Sequence, residues 1–300
     1  MKSFFLIICY LLPFFVHASE EVDEIFYPQP TGKADVRDKY FYELLQLSLE
    51  KSIDKFGAYS LKYAEIELPS TRIPVEMSRG QFVNVLTSPT STQLESMVLP
   101  IKIPLVKGIQ GLRLLLIKKS KQTQFAEVEN LNQLTNFILG QGKGWLDTIV
   151  FNEAGLDVAT SSEYHVLFKM LAFDRFDAFP RGLNEIYREL DERKSVYPEF
   201  AVEQKLVIYY DLPVYFFVQL GDERLHDRIQ YGLNNALEDG SFDQLFFDYY
   251  GEDIINAKLQ NRTLFYLPNK FVPVIDKQQY EQFWLPFILE KTATLDAPLY

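Results

Sequence analysis

The chain has 300 residues, 47% of them apolar, 24% charged and 15% aromatic, which is a globular composition with a large aromatic share. Thirty Lys and Arg against 41 Asp and Glu leave a net charge of −11, which repels a phosphate backbone and argues against nucleic acid as a partner. One cysteine excludes a disulfide framework and a cysteine-rich zinc site, and the length suits one large domain or two lobes.

Met1-Lys2-Ser3 is a short cationic start, followed by an apolar run over residues 4–16 that Pro13 interrupts. Val16-His17-Ala18 then places compact residues before the polar Ser19-Glu20-Glu21. This order predicts a signal peptide over residues 1–18, cleaved near Ala18, and an exported, periplasmic product. The run is shorter than the ~20 apolar residues that span a bilayer. Cys9 lies inside it behind Ile8, where lipid attachment would want a small residue, so a lipoprotein reading is rejected.

In chain order, residues 25–27 read as a short strand ended by Pro28, and Asp38 as the cap of a helix carrying Phe41, Leu44, Leu45, Leu49 and Ile53, stopped by Gly57. Strands are predicted at 59–68 and 82–86, the second running into the hydroxyl-rich turn Thr87 to Thr92. Residues 112–117 form a buried-type strand opened by Gly108 and Gly111. A new unit begins near Asn130, and Gly140-Gln141-Gly142-Lys143-Gly144 leads into a helix near Trp145. A strand at 156–159 and a helix capped by Ser161 or Ser162 follow. After these come a strand at 176–179 and a helix over 180–192. Residues 206–210 and 214–218 are strands on either side of Asp211-Leu212-Pro213. Leu225, Ile229, Leu233 and Leu237 recur every four residues and predict an amphipathic helix ended by Gly240, with a last helix from Ser241 to Gly251. Strands alternating with helices make an α/β protein.

Three segments in this order resemble the bacterial extracellular solute-binding proteins of family 3. They are Asp239-Gly240-Ser241-Phe242 with Tyr250-Gly251, then Phe173 to Phe179, and Phe82 to Thr92. Gly140 to Asp147 and Arg175 to Gly182 resemble a divergent, uncharacterised branch of that superfamily. The resemblance implies a two-lobed periplasmic binding protein type 2 fold with a two-strand hinge. Lobe 1 would take residues 19–115 and 215–300 with its C-terminal helices, and lobe 2 would take 116–214. The hinge would lie near 112–117 and 210–216. The implied function is a monomeric, non-catalytic receptor of an ABC-type transporter that closes two lobes on a small polar solute, anionic or amino-acid-like. Amino-acid receptors of the family carry an Arg after the first-lobe turn, where this chain has Thr92-Gln93-Leu94-Glu95, and an acid after the second-lobe strand, where it has Pro180-Arg181-Gly182. An ordinary amino acid receptor is therefore not expected.

The ligand-binding candidates are Tyr27, Thr87, Ser88 and Thr90 from lobe 1, and Gly142, Lys143, Gly144, Trp145 and Arg181 from lobe 2. The glycine-rich turn before a helix offers backbone amides and a positive dipole end to an anion, with Lys143 as a point charge, or is an ordinary turn. It is no nucleotide P-loop, because Gly144 follows the Lys. Trp145 stacks on a ligand or fills the core. Arg181 contacts ligand at a strand end or pairs with Glu185 at i, i+4. Tyr27 stacks on a ligand or lies on the lobe surface, and the hydroxyls of Thr87 to Ser91 serve a ligand or the turn itself. His165 reads as structural and His226 as solvated, no metal site or cofactor is expected, and no Gly-x-Ser-x-Gly element exists. Three further readings stay open: a receptor serving a membrane sensor, a scaffold without a ligand, and an enzyme dehydrating small carboxylates, with Glu153 or Asp177 as its acid.

Overall fold

The computed structural model describes residues 22–30, 36–69, 71–279 and 281–292, with the side chains of 36–38 excepted. The expected signal peptide, the 293–300 part of the tail and the Asp38 side chain lie outside the described residues. Strand β1 (Asp23–Tyr27) is followed by α1 (Val36–Glu50), α2 (Ile53–Phe56), β2 (Tyr59–Tyr63), α3 (Ile73–Ser78), β3 (Val85–Pro89), α4 (Thr92–Glu95) and β4 (Val98–Ile101). β1 and β2 pair in parallel, Asp23 opposite Tyr59 through Tyr27 opposite Tyr63. Gly57 caps α2 with φ +82, the left-handed conformation that favours glycine.

The chain then builds a larger sheet. Its elements are β5 (Leu112–Lys118), α5 (Gln122–Ala126), α6 (Leu131–Leu134), β6 (Leu139–Gly142), α7 (Leu146–Glu153), β7 (Val158–Ser161), α8 (Tyr164–Ala172), β8 (Ala178–Gly182), α9 (Leu183–Arg193), β9 (Phe200–Val202) and β10 (Leu206–Tyr209). After it come β11 (Val214–Gln219), α10 (Glu223–Glu238), α11 (Ser241–Ala257), β12 (Thr263–Tyr266) and α12 (Pro286–Thr292). β11 returns to the first region and lies between β3 and β4, antiparallel to both. Asn84 joins this group to the β1–β2 pair: its side-chain oxygen accepts from Phe26 N at 2.8 Å and its own N–H donates to Phe26 O at 3.1 Å. The larger sheet runs β12-β10-β5-β8-β6-β7, with β9 also paired to β5.

β5 is the centre of that sheet. Leu112, Leu114, Leu115, Leu116 and Ile117 are fully buried, each worth about 1.5–3 kcal/mol of transfer free energy. A strand covered on both faces reads as an apolar run, as this one does. On the first lobe α1 packs against α10 at Gly232, where an added Cβ would stand 1.7 Å from Ser48 O. Only glycine lets those two backbones approach so closely. The chain joins the two sheets through residues 102–111 and 210–213, and these run side by side. Leu105 N donates to Val214 O at 3.0 Å, and a Cβ on Gly111 would lie 2.1 Å from Tyr210 O. Two expected boundaries move with tertiary context. α11 continues through Gly251 to Ala257, because Phe246, Tyr250 and Ala257 are buried along it, and it ends at Lys258 with φ +47. Residues 180–182, expected to open a helix, extend β8 instead, with Arg181 opposite Leu114 and Pro180 opposite Leu115. Residues 263–266, grouped by the sequence with lobe 1, pair in parallel with β10 in the larger sheet.

Candidate ligand-binding site

In open α/β sheets ligands gather beyond the carboxyl ends of strands. On the first lobe those ends are Tyr27, Tyr63 and the residues leaving β3. Tyr27 OH donates to Thr87 Oγ1 at 2.7 Å, so these two expected residues are brought together. With Ser88, Gln29, Tyr63 and three prolines they line a cavity of about 180 Å³, slightly more than the ~150 Å³ cavity that accepts one benzene ring. Tyr42 stacks on Tyr63 at 4.4 Å and meets Tyr27 edge-on at 5.9 Å, which fixes the aromatic wall. Thr87 and Ser88 lie within β3 and not in a turn, because Phe82 takes φ +64 and the strand begins only at Val85. Thr90 does not join them. It is buried, its N–H donates to Pro213 O at 2.9 Å and its hydroxyl to Glu95 Oε1 at 2.7 Å. Ser91 caps α4, accepting from Leu94 N at 3.1 Å.

On the second lobe β6 delivers the glycine-rich turn. Gly142 carries the Trp145 indole directly on its Cα, since a Cβ there would lie 2.1 Å from the ring. Gly142 O accepts from Trp145 N at 3.1 Å and from Thr148 Oγ1 at 2.9 Å. Lys143 N donates to Ser161 O at 2.8 Å, while Gly144 turns the chain with φ +83. Two amides of the expected anion seat are thus spent inside the protein, and Lys143 stands exposed.

Arg181 is 8% exposed. Its Nε and Nη2 donate to the two oxygens of Glu189, both at 2.7 Å, and Glu185 Oε2 lies 2.9 Å from Nη2. The guanidinium also lies 4.9 Å from the Phe179 ring, 5.1 Å from Trp145 and 5.6 Å from Tyr164. Burial alone would lower its pKa, but Glu189 and Glu185 outweigh it and hold the charge firmly. Tyr164 OH donates to Glu189 Oε1 at 2.6 Å, and burial, followed by Glu189, pushes that phenol up. The expected pair with Glu185 is present, and Glu189, one turn further along α9, is the partner that the sequence reading missed.

A second missed cluster sits at the crossings. Arg113, the one charge within residues 112–117 of β5, is 5% exposed. Its Nε donates to Asp147 Oδ1 at 2.5 Å and its Nη1 to Gln110 O. Tyr210 OH donates to the same Asp147 oxygen at 2.6 Å, and the guanidinium stands 5.1 Å from the Tyr210 ring. Burial would raise the Asp147 pKa, but Arg113 pulls it below the usual carboxylate range. Burial pushes the Tyr210 phenol well up. This triad ties the first turn of α7, just past the glycine-rich turn, to both crossing segments. Beside the same wall Gln141 Oε1 and Asn184 Oδ1 are buried with no hydrogen-bond partner, and Gln141 Nε2 donates to Pro180 O at 2.9 Å.

The two acids weighed for catalysis are engaged elsewhere. Asp177 accepts from Lys121 Nζ at 3.0 Å and Ile138 N at 2.8 Å, and Glu153 pairs with Lys270 at 2.7 Å. Among the described residues no group of His, Cys, Asp and Glu is arranged to hold a metal ion, and no helix is long and apolar enough to cross a membrane.

The probable amino-acid ABC transporter extracellular-binding protein ytmK from Bacillus subtilis superposes with a TM-score of 0.58 at 14% identity, over 78% of this chain and 100% of that one. Substrate-binding domain 2 of GlnP from Lactococcus lactis, in an open conformation, gives 0.53 at 16% identity, over 76% and 95%. An ancestral arginine-binding protein bound to arginine gives 0.51 at 15% identity, over 77% and 98%. The fold is that of the two-lobed solute-binding proteins. The resemblance read from the sequence therefore holds at the level of the fold. Residues 112–117, expected in the hinge, instead form β5 inside the larger sheet, and the crossings are residues 102–111 and 210–213. No family model and no curated protein matches the sequence.

Proposed function

We propose that this chain is an exported, monomeric solute-binding protein that closes its two lobes on a small polar solute and passes it to a membrane transporter of the ABC type. The observation that carries this reading is that expected site residues stand at strand ends of different sheets, which adjacent crossing segments join; that the two groups face one another as walls of one cleft is part of the proposal. Tyr27, Thr87 and Ser88 form one wall, and the Gly142–Trp145 turn backed by Arg181 forms the other. Neighbours of the same fold include proteins bound to arginine and to lysine, which supports a small, hydrogen-bonding solute. Glu189 and Glu185 occupy Arg181, so in this reading the cation orders the Trp145 wall, and the solute is held chiefly by hydroxyls, amides and rings. The engaged Asp177 and Glu153 support binding without turnover. The lobe division near residues 115 and 214 and export by residues 1–18 belong to the same proposal.

Native mass spectrometry of protein purified from the exporting cell tests it. A discrete mass released on denaturation, chemically unchanged by the protein, is the expected result. A thermal-shift series of amino acids, small carboxylates and neutral hydroxylated rings follows, since a solute that binds only the folded state raises Tm. An apo spectrum together with no shift from any of them would overturn the receptor reading.

A further inference from the structure

The structures compared above cover 76–78% of this chain, so a little under a quarter of it lies outside the superposed part. One part of the chain does something that a two-crossing hinge does not need. After β12 the backbone crosses between the sheets a third time. Leu267 N donates to Tyr209 O at 2.8 Å beside β10, Asn269 Nδ2 donates to Asp211 O at 2.9 Å, and Phe271 O then accepts from Thr92 N at 3.0 Å, at the start of α4.

The same segment grips both other crossings. Lys277 places a buried ammonium 3.2 Å from Asp211 Oδ1, in the second crossing. That carboxylate also accepts from Tyr209 OH at 2.7 Å and Tyr266 OH at 3.2 Å. Further on, Leu285 N donates to Lys107 O at 3.1 Å and Lys107 Nζ donates to Gln282 O at 3.0 Å, in the first crossing. Trp284 packs so closely on Gly108 that a Cβ there would lie 2.6 Å from its ring. Lys107 and Gly108 take φ +47 and +80, so the first crossing turns sharply where the segment holds it. Phe283 meets Phe242 edge-on at 5.2 Å, which anchors the far end to α11.

We propose that residues 267–279 and 281–292 are a strap over the hinge that sets the angle between the lobes and must yield before they close, with the Asp211–Lys277 pair as its clasp. The inference rests on the closing-receptor reading and adds the control of closure. Both partners of the clasp are buried, so the pair has little competition from water and breaking it leaves an uncompensated charge. The segment that bears Lys277 is fixed to one sheet by β12 and to the other lobe by Phe283 and Trp284. A change in the bend of residues 210–213 therefore strains or releases it.

The test uses ligand-free protein starting at Ser19, which has no native cysteine, with spin labels at Ser78→Cys and Lys169→Cys, both exposed and on opposite lobes. Pulsed dipolar spectroscopy reads the distance between them. The wild type is expected to give one narrow population. The charge-free double variant D211N/K277M leaves no lone buried charge, and it is expected to shift or broaden the distribution by more than about 2 Å, the scale of a domain rearrangement. K277M alone should do the same if it folds. A folded double variant with an unchanged distribution would overturn the strap. The measurement needs no solute: failure to find one would remove the receptor reading and leave the distance result standing.

Discussion

Replacing Asp147 by Asn tests whether the buried triad at the crossings holds the α7 turn in place. Asp147 is 15% exposed at its side chain and Arg113 6%. The substitution removes the countercharge of a buried guanidinium, a change that costs about 3–5 kcal/mol in such pairs. Asn keeps an acceptor for Tyr210 OH, which favours the lower end, ~3 kcal/mol. At about 2–4 °C per kcal/mol for chains of this size class, Tm should fall by roughly 6–12 °C. Urea unfolding at pH 7 measures the loss, and the cycle with Arg113→Met isolates the pair. The double variant should lose about 1–3 kcal/mol less than the two singles together. Since the folded pKa of Asp147 is depressed, the stabilisation is present above the unfolded carboxylate value near 4. It is lost as pH falls through the folded value, so the gap between wild type and D147N should close in acid. A loss under about 1 kcal/mol with no coupling in the cycle would refute the reasoning.

Gly142→Ala drives a methyl to 2.1 Å from the Trp145 ring and should cost about 1–3 kcal/mol. With only two Trp in the chain, the displaced indole should show as an emission shift in a Trp284→Phe background. Thr87→Val removes the acceptor of Tyr27 OH; a loss of ~1 kcal/mol is expected by denaturation, with weaker thermal response to any solute found. Asp253, half-buried on α11, has its pKa raised to about 6, first by burial and then by Glu252. The folded state therefore keeps a proton that the unfolded state releases between about pH 4 and 6, and stability should fall as pH rises across that window. D253N should flatten the Tm-against-pH curve there and stabilise at pH 7 by under ~1 kcal/mol, given solvent screening. Lys258→Gly relieves a side chain held at φ +47 and should add about 1 kcal/mol to the unfolding free energy.

Much of the fold was legible because its elements face one environment along their length. The 112–117 strand is apolar on both faces apart from Arg113 and is buried on both, and α10 shows its every-four pattern because one face lies on α1. Gly57 and Gly240 could be read as stops because a left-handed residue is a local requirement. Elements whose limits depend on neighbours were harder. β3 starts at Val85 because Phe82 turns the chain at φ +64 and Asn84 spends its side chain on β1, and α11 passes Gly251 because buried Phe246 and Tyr250 outweigh a glycine's modest helix penalty.

The candidate site divides the same way. Tyr27, Thr87, Gly142, Trp145 and Arg181 could be named from position after a strand or before a helix, and Glu185 from its helical spacing to Arg181. What each touches is set in three dimensions. Thr90 faces Glu95 and not the Tyr27 cavity, and the carboxylates of α9 neutralise Arg181. Arg113 announces itself as a lone charge in an apolar run, yet its partners Asp147 and Tyr210 stand on a distant helix and the return crossing. The Lys277–Asp211 clasp is equally non-local. Spacing along the chain reports which face a residue shows over a few turns. Which charges meet depends on how sheets and crossings stack, and burial makes those pairings strong only after the stacking has removed water.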